Sequence, residues 1–250
     1  MPGARANTSV SDPKIEVLAN PETLAGRVAE WLLEAARSTE RPFAVALSGG
    51  STPRRLYERL AQSPHLEAFP WERTRWFFGD ERFVPHDDPR SNYRMVREAM
   101  LSRAPIPPSN ICAIPTEGMT PEAAVSVYER ELKSFYGADS LDPERPLFDV
   151  TLLGLGQDGH TASLFPNTAV LDERRRWVAA VVGAGQEVRI TLTYPPLESS
   201  RLVAFLVTGR EKRPVLDRLR RGDRELPASR LHPVGALHCF ADVAAAGGMT

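Results

Sequence analysis

Apolar positions recur with a helical period over "PETLAGRVAEWLLEAARS" (21–38), where Leu24, Val28, Trp31, Leu32 and Ala35 share one face and charges take the other. The pattern then shortens. "FAVAL" is a continuous apolar run of strand length, followed by a Gly-Gly turn and a second helix through "STPRRLYERLAQS". Pro53 suits the first helical turn, and Ser51 or Thr52 is placed to cap it. "TRWFFGDERFVP" reads as a strand broken at Gly79, with Asp80, Glu81 and Arg82 on the turn at its end. "SNYRMVREAML" predicts a helix capped by Ser91, "NICAIP" a strand, and "TPEAAVSVYERELKSFY" a helix that starts at Thr120 and Pro121. "FDVTLLGLG" is a strongly apolar strand, and "RWVAAVV", "VRITLTY" and "RLVAFLVTG" are strands after it.

Strands alternate with helices through the first 155 residues or so, which predicts an α/β fold with a mainly parallel sheet covered on both faces. The later strands lack clear helices between them, so some antiparallel or mixed pairing is expected in the C-terminal half. No internal repeat, low-complexity run or linker divides the chain. The expectation is one domain over 15–250, preceded by a loose leader over 1–14 that lacks the apolar core of an export signal.

Composition narrows the function. The 250 residues are 42% hydrophobic and 25% charged, with a formal net charge of -1. Such a balance provides no broad field for nucleic acid or an anionic membrane, so neither is an expected partner, and any bound anion must be held locally. No apolar run approaches the roughly 20 residues of a membrane span. Cys112 and Cys239 form neither a disulfide framework nor a metal-ligand spacing, which points to a reducing cytoplasm. There is no H-E-x-x-H and no paired Cys or His set, so no metal is expected. The arginine-rich stretches "DERRRW" and "DRLRRGDRE" are interleaved with acids and read as solvated faces.

In open α/β sheets ligands bind beyond the carboxyl ends of the strands, and four polar or glycine-rich segments fall there: "SGGSTP", "GDER", "GLGQDGH" and "TGREK". In the first, Gly49 and Gly50 let backbone N–H groups approach a ligand, with Ser51 and Thr52 at the positive end of the next helix. The segment fits a phosphate cradle or a plain tight turn equally well. It lacks the lysine of a nucleotide P-loop, and around Ser48 it is a near miss for the hydrolase elbow G-x-S-x-G, with Ala46 in place of the first glycine. Lys212 and Arg189 are single cations that gain meaning only beside such a cradle. Asp80 and Arg82 are candidates for orienting a substrate or a base. His65, His86, His232 and His238 read as surface or packing residues. In "GLGQDGH" three glycines frame Asp158 and His160. Such a loop can aim an imidazole into a cleft and set its tautomer, and a free histidine, with a pKa near ~6.5, accepts protons at neutral pH.

With these residues in place, the chain resembles the 6-phosphogluconolactonase family, relatives of glucosamine-6-phosphate deaminase. The matching stretches are "ALSGGSTP", "WFFGDERFVP" with "SNYRM", "FDVTLLGLGQDGHTASLFP", "RITLTYPPL", and "LVTGREK" with "PASRL", in the family's order over about residues 43 to 231. The resemblance implies a Rossmann-like fold and hydrolysis of 6-phospho-D-glucono-1,5-lactone in the oxidative pentose phosphate pathway. It also implies no metal or organic cofactor. Carried over by motif, His160 is the general base with Asp158 beside it. Gly49, Gly50, Ser51, Thr52, Arg189 and Lys212 surround the phosphate, and Asp80 and Arg82 line the sugar side. A lactone carbonyl is already activated, so a base, an oxyanion site and a fixed substrate suffice. The deaminase is the nearest alternative, but its stretch continues H-I-A-F-N-E-P, whereas here "HTASLFP" carries no acid. A sugar-phosphate sensor on the same fold, and a serine hydrolase using Ser48 with His232 or His238, are the other readings.

Overall fold

The computed structural model describes residues 13–183 and 187–247, so nearly all of the leader expected over 1–14 lies outside them. The chain begins with β1 (Lys14–Leu18), α1 (Pro21–Arg37), β2 (Phe43–Leu47), α2 (Ser51–Leu60), α3 (His65–Ala68), β3 (Thr74–Phe78) and β4 (Asp80–Arg82). Next come α4 (Asn92–Val96), β5 (Ile111–Cys112), α5 (Pro121–Tyr136) and β6 (Phe148–Gly154). The last part holds β7 (Val178–Val181), β8 (Arg189–Leu192), α6 (Tyr194–Glu198), β9 (Ser200–Val207), α7 (Arg213–Arg220), β10 (Ala236–Asp242) and α8 (Val243–Ala246).

The helices form where period and caps agree. Asn20 accepts the Thr23 N–H at 2.9 Å to open α1, whose Leu24, Val28, Trp31 and Leu32 are buried. Thr120 accepts from Ala123 N to open α5, and Gly137 closes it in the left-handed region. The expected cap of α2 differs. Gly50 is the N-cap at φ 104°, and Ser51 and Thr52 are already helical, with the Thr52 hydroxyl bonded to that of Thr208 at 2.7 Å. A left-handed entry at glycine brings the chain into the helix one residue early, so no side chain covers the amide end.

Seven strands form a sheet in the order β1-β10-β9-β6-β2-β3-β5, and every pairing in it is parallel. All five residues of β2 are buried, as a strand covered on both faces requires. The chain builds outward from β2 to β3 and β5 on one side, then restarts at β6 on the other. The connections after β2 and β6 therefore diverge and leave a crevice at their carboxyl ends.

The mixed pairing expected in the C-terminal half is present as β7–β8, but in a separate three-stranded antiparallel sheet to which β4 also belongs. Asp80, Glu81 and Arg82 are thus extended and paired with β8, not on a turn. Their partner lies more than a hundred residues away, where local pattern cannot reveal it. β9 and β10 join the parallel sheet instead. β10 comes from the tail, where the polar His238 and Asp242 interrupt the apolar run, and the five-residue β1 mixes charged and apolar positions, so neither stands out in the sequence. Asp242 closes this edge by accepting from Ala245 N at 2.8 Å and from Gly209 N at 3.1 Å.

The buried apolar side chains make one contiguous cluster around the sheet, each large aliphatic or aromatic member worth about 1.5–3 kcal/mol by transfer. Two tyrosines inside it act as clasps. The Tyr57 hydroxyl of α2 accepts Ser48 N–H at 3.0 Å and donates to Ser48 O at 2.8 Å. Tyr128 of α5 does the same for Phe78, at 2.8 and 2.9 Å. Each satisfies both backbone groups of a residue at the point where a strand ends and the site begins. Burial holds both phenols well above the ordinary tyrosine value, so both stay protonated.

Tyr57→Phe keeps the ring and strands two buried backbone groups at Ser48. Urea unfolding should show a loss of about 1–3 kcal/mol with an unchanged m value. A midpoint equal to the parent's would remove the clasp from the account.

Candidate active site

The crevice between the ends of β2 and β6 opens into a cleft of about 240 Å³. Gly49, Gly50, Ser51, Thr52, Asp80, Arg82, His160, Arg189 and Lys212 all line it. Asp158, the remaining residue expected from sequence, stands behind His160 and lines the adjoining groove. Four chain segments that are distant in sequence therefore converge. The cleft walls also include Asn92, Ala162, Thr208 and Glu211, which sequence reasoning did not single out.

His160 sits on the loop that leaves β6. Its Nδ1 lies 2.6 Å from Asp158 Oδ1, which also accepts the His160 backbone N–H at 3.1 Å. Burial works to raise the Asp158 carboxyl, but the His160 amide and ring outweigh it and hold the group below the usual aspartate value. An ionised carboxylate only accepts, so Nδ1 carries a proton, and in the neutral tautomer this fixes, Nε2 is the nitrogen with the lone pair. Phe165 packs on the imidazole at 4.3 Å between centroids. The loop closes on itself through Gly156 N to His160 O at 2.8 Å. A methyl group at Gly156 would overlap His160 Nδ1, so the close approach of that backbone to the ring demands glycine. This accounts for an apolar strand running straight into "GLGQDGH".

The cleft also carries positive charge. The uncapped amide end of α2 faces it, and Lys212 enters from the loop after β9. Among the described residues no carboxylate forms an ion pair with Lys212 or Arg82. Arg82 and Arg189 are direct cross-strand partners on β4 and β8. The Nε of each is buried without a hydrogen-bond partner, and Glu187 approaches Arg189 only to 3.9 Å. Burial first, and then the Arg82 charge, pull the Arg189 guanidinium below its ordinary value. Two like charges held side by side with unused donors form a site that wants an anion.

Asp80 is 6% exposed and accepts from Ser163 Oγ at 2.7 Å. Its neighbour Glu81 is buried and turned inward as a cap for α4. It accepts Arg82, Asn92 and Tyr93 N–H, each at 2.7 Å, and Ser91 Oγ at 3.1 Å. Burial pushes this carboxyl above the ordinary glutamate value while the three amides pull it back. Ser91 caps the helix from within as expected, accepting Arg94 N at 3.1 Å. Nothing local in "GDER" signals that Glu81 reaches ten residues ahead.

The other histidines take no part in lining the cleft. His86 stacks on Tyr93 at 4.5 Å between centroids, His65 is buried, and His238 packs on Trp31. Ser48 does line the cleft, but its Oγ turns to Gly49 O at 3.3 Å, and neither His232 nor His238 is there to activate it. Among the described residues no three His, Cys, Asp or Glu side chains are grouped to hold a metal ion, and no helix is long and apolar enough to cross a membrane.

The model of the glucosamine-6-phosphate isomerases/6-phosphogluconolactonase family matches residues 19–239. The chain belongs to this family. It is 39% identical over 237 residues to a 6-phosphogluconolactonase of Nostoc sp., covering 92% of this chain and 96% of that protein. To the 6-phosphogluconolactonase of Homo sapiens it is 37% identical over 243 residues, covering 93% and 92%. The crystal structure of 6-phosphogluconolactonase from Thermotoga maritima superposes with a TM-score of 0.79 at 32% identity, covering 92% of this chain and 99% of that one. The parallel sheet and its antiparallel annex are thus the 6-phosphogluconolactonase fold.

Glu81→Gln places an NH2 group against at least one buried amide donor, whichever way it turns. Unfolding in urea should show about 1–3 kcal/mol lost. Parent-like stability would mean that the carboxylate does not hold α4 in place.

Proposed function

We propose that the cleft binds a phosphosugar lactone by its phosphate and opens it by His160-assisted attack of water. The reaction is hydrolysis of 6-phospho-D-glucono-1,5-lactone to 6-phosphogluconate, the activity named for the relatives above. The observation that carries the mechanism is the Nε2 of His160, backed by Asp158, in the same small cleft as Arg189 and two cations, Arg82 and Lys212, that have no carboxylate partner among the described residues.

The α2 amide end with Ser51 and Thr52, together with Lys212 and Arg189, holds the phosphate. That group is a remote handle, and fixing it positions the lactone carbonyl under the imidazole. Nε2 takes a proton from water as the water oxygen bonds to C1, and the carbonyl electron pair moves onto its oxygen. Asp158 faces the imidazolium so formed. The tetrahedral oxyanion collapses with cleavage of the bond between C1 and the ring oxygen, which takes its proton from the imidazolium. One water is consumed, and the new carboxylic acid ionises. Asp80 and Arg82 line the sugar side, where Arg82 also offers a donor to the developing oxyanion.

The deaminase alternative needs an acid after the histidine. Residues 161–166 supply none, and among the described residues Asp80 and Glu211 are the only carboxylates that line the cleft. We assign the reaction to the cytoplasm, in keeping with two buried cysteines that carry free thiols.

His160→Ala removes a group used only in the transition state, so kcat on freshly generated lactone should fall about 10²–10⁴-fold with little change in KM. The rate is read against the lactone's spontaneous opening, and glucosamine 6-phosphate serves as the competing substrate. Full activity in the variant would end the general-base role. Lys212→Ala should act mainly on KM, and an unaltered KM would take Lys212 out of the phosphate site.

A further inference from the structure

Asn92 belongs to the "SNYRM" motif, and the mechanism above gives it no task. It is 2% exposed and lines the cleft. Its Nδ2 donates to Asp80 O at 2.9 Å and reaches Asp80 Oδ1 at 3.3 Å. Both neighbours are acceptors, so the amino half of the carboxamide must face them, and Oδ1 is turned the other way. There it lies against Gly49, where a methyl group would overlap it. Among the described residues no donor reaches Oδ1. Oδ1 is therefore an acceptor on the cleft wall, open to a donor from whatever the cleft binds.

The chemistry of that donor is restricted. A phosphate oxygen is itself an acceptor at neutral pH, so Oδ1 and the Asp80 carboxylate beside it repel the phosphate. A sugar hydroxyl is a donor and fits both. Residue 92 is held from behind by its own N–H on Glu81 at 2.7 Å, so its position is fixed before any ligand arrives. We infer that Asn92 Oδ1 accepts a hydrogen bond from one ring hydroxyl of the substrate, making Asn92 a specificity-determining residue that reads the polyol next to the phosphate cradle. This rests on the reading of the cleft as a phosphosugar lactone site.

The test pairs substrate and protein changes. The full-length enzyme and its Asn92→Ala variant are assayed with 6-phosphogluconolactone and with its 2-, 3- and 4-deoxy lactones, generated by oxidation of the matching deoxy-sugar phosphates. For the parent enzyme one deoxy lactone should lose about 5- to 150-fold in kcat/KM, the range for leaving an acceptor unmatched once the bound ligand shuts it off from water. In Asn92→Ala that same penalty should shrink to within about threefold, because the acceptor has gone. Asn92→Asp keeps an oxygen at Oδ1 while losing the donor to Asp80, so it should retain the penalty. A merely structural role would leave the penalty equal in all three proteins, and that result overturns the inference, as does a parent enzyme indifferent to every deoxy lactone. Should Asn92→Ala fail to fold by urea titration, Asn92→Leu keeps the volume without the acceptor and takes its place. A parent enzyme that does not accelerate opening of the full lactone overturns the underlying reading instead.

Discussion

The pairing of β2 with β6 at the middle of the parallel sheet is the constraint from which the site follows. These strands are adjacent in space but a hundred residues apart in sequence, and the chain leaves them in opposite directions. Backbone connections cannot fill the gap between diverging loops, so a crevice is built into the topology. The loop from β2 brings an uncapped helix end, and the loop from β6 brings an imidazole. Neither can drift, because Tyr57 pins Ser48 and the Gly156–His160 bond closes the second loop. An imidazole and an uncapped helix end thus come to one cleft through one strand pair.

Charge in this protein is arranged locally, not globally. A net charge of -1 over 250 residues gives no long-range attraction for a phosphorylated substrate. Affinity must come from donors held ready at short range. Holding them ready is unfavourable in the empty cleft: Arg82 and Arg189 face each other across the antiparallel sheet, with buried Nε groups unsatisfied. The core and the Glu81 cap offset that cost. In the proposed reading the phosphate on Arg189 and the negative charge developing beside Arg82 would relieve the repulsion and fill the donors, turning that cost into selectivity for a phosphorylated ligand.

Much of this was legible in the sequence. The helices α1 and α5 are bounded by Asn20 and Thr120 with glycine or serine at their ends, and local rules suffice where each rule acts within four residues. The cleft's composition was legible for a different reason. Phosphate cradles and base loops need glycines and polar residues directly after apolar strands, and such clusters are uncommon elsewhere. What stayed hidden depends on partners distant in sequence. Asp80–Arg82 forms a strand only because Arg189–Thr191 lies beside it, and β10 is a strand because it slots between β1 and β9. Ser51 and Thr52 looked like caps because the left-handed entry at Gly50 leaves no trace in residue type beyond glycine itself. Glu81 and Asn92 were invisible as a pair, since a buried acid capping a helix ten residues on has no sequence signature.

The division of labour between the two sheets explains why the site needs both. The parallel sheet delivers backbone and hydroxyl donors, Lys212 and His160, all from segments at strand ends, while the antiparallel annex delivers the paired guanidinium groups and Asp80 from within strands. They are joined at Gly79, whose N–H continues the parallel ladder to Leu47 O at 2.8 Å while its carbonyl accepts Leu192 N–H at 2.8 Å. One peptide unit therefore registers the arginines against the cradle. A side chain in a strand has far less freedom than one in a loop, so the annex fixes Asp80 and the two arginines, while Lys212 and His160 depend on their loops. Any change in the annex register would move Arg82, Arg189 and Asp80 together relative to His160.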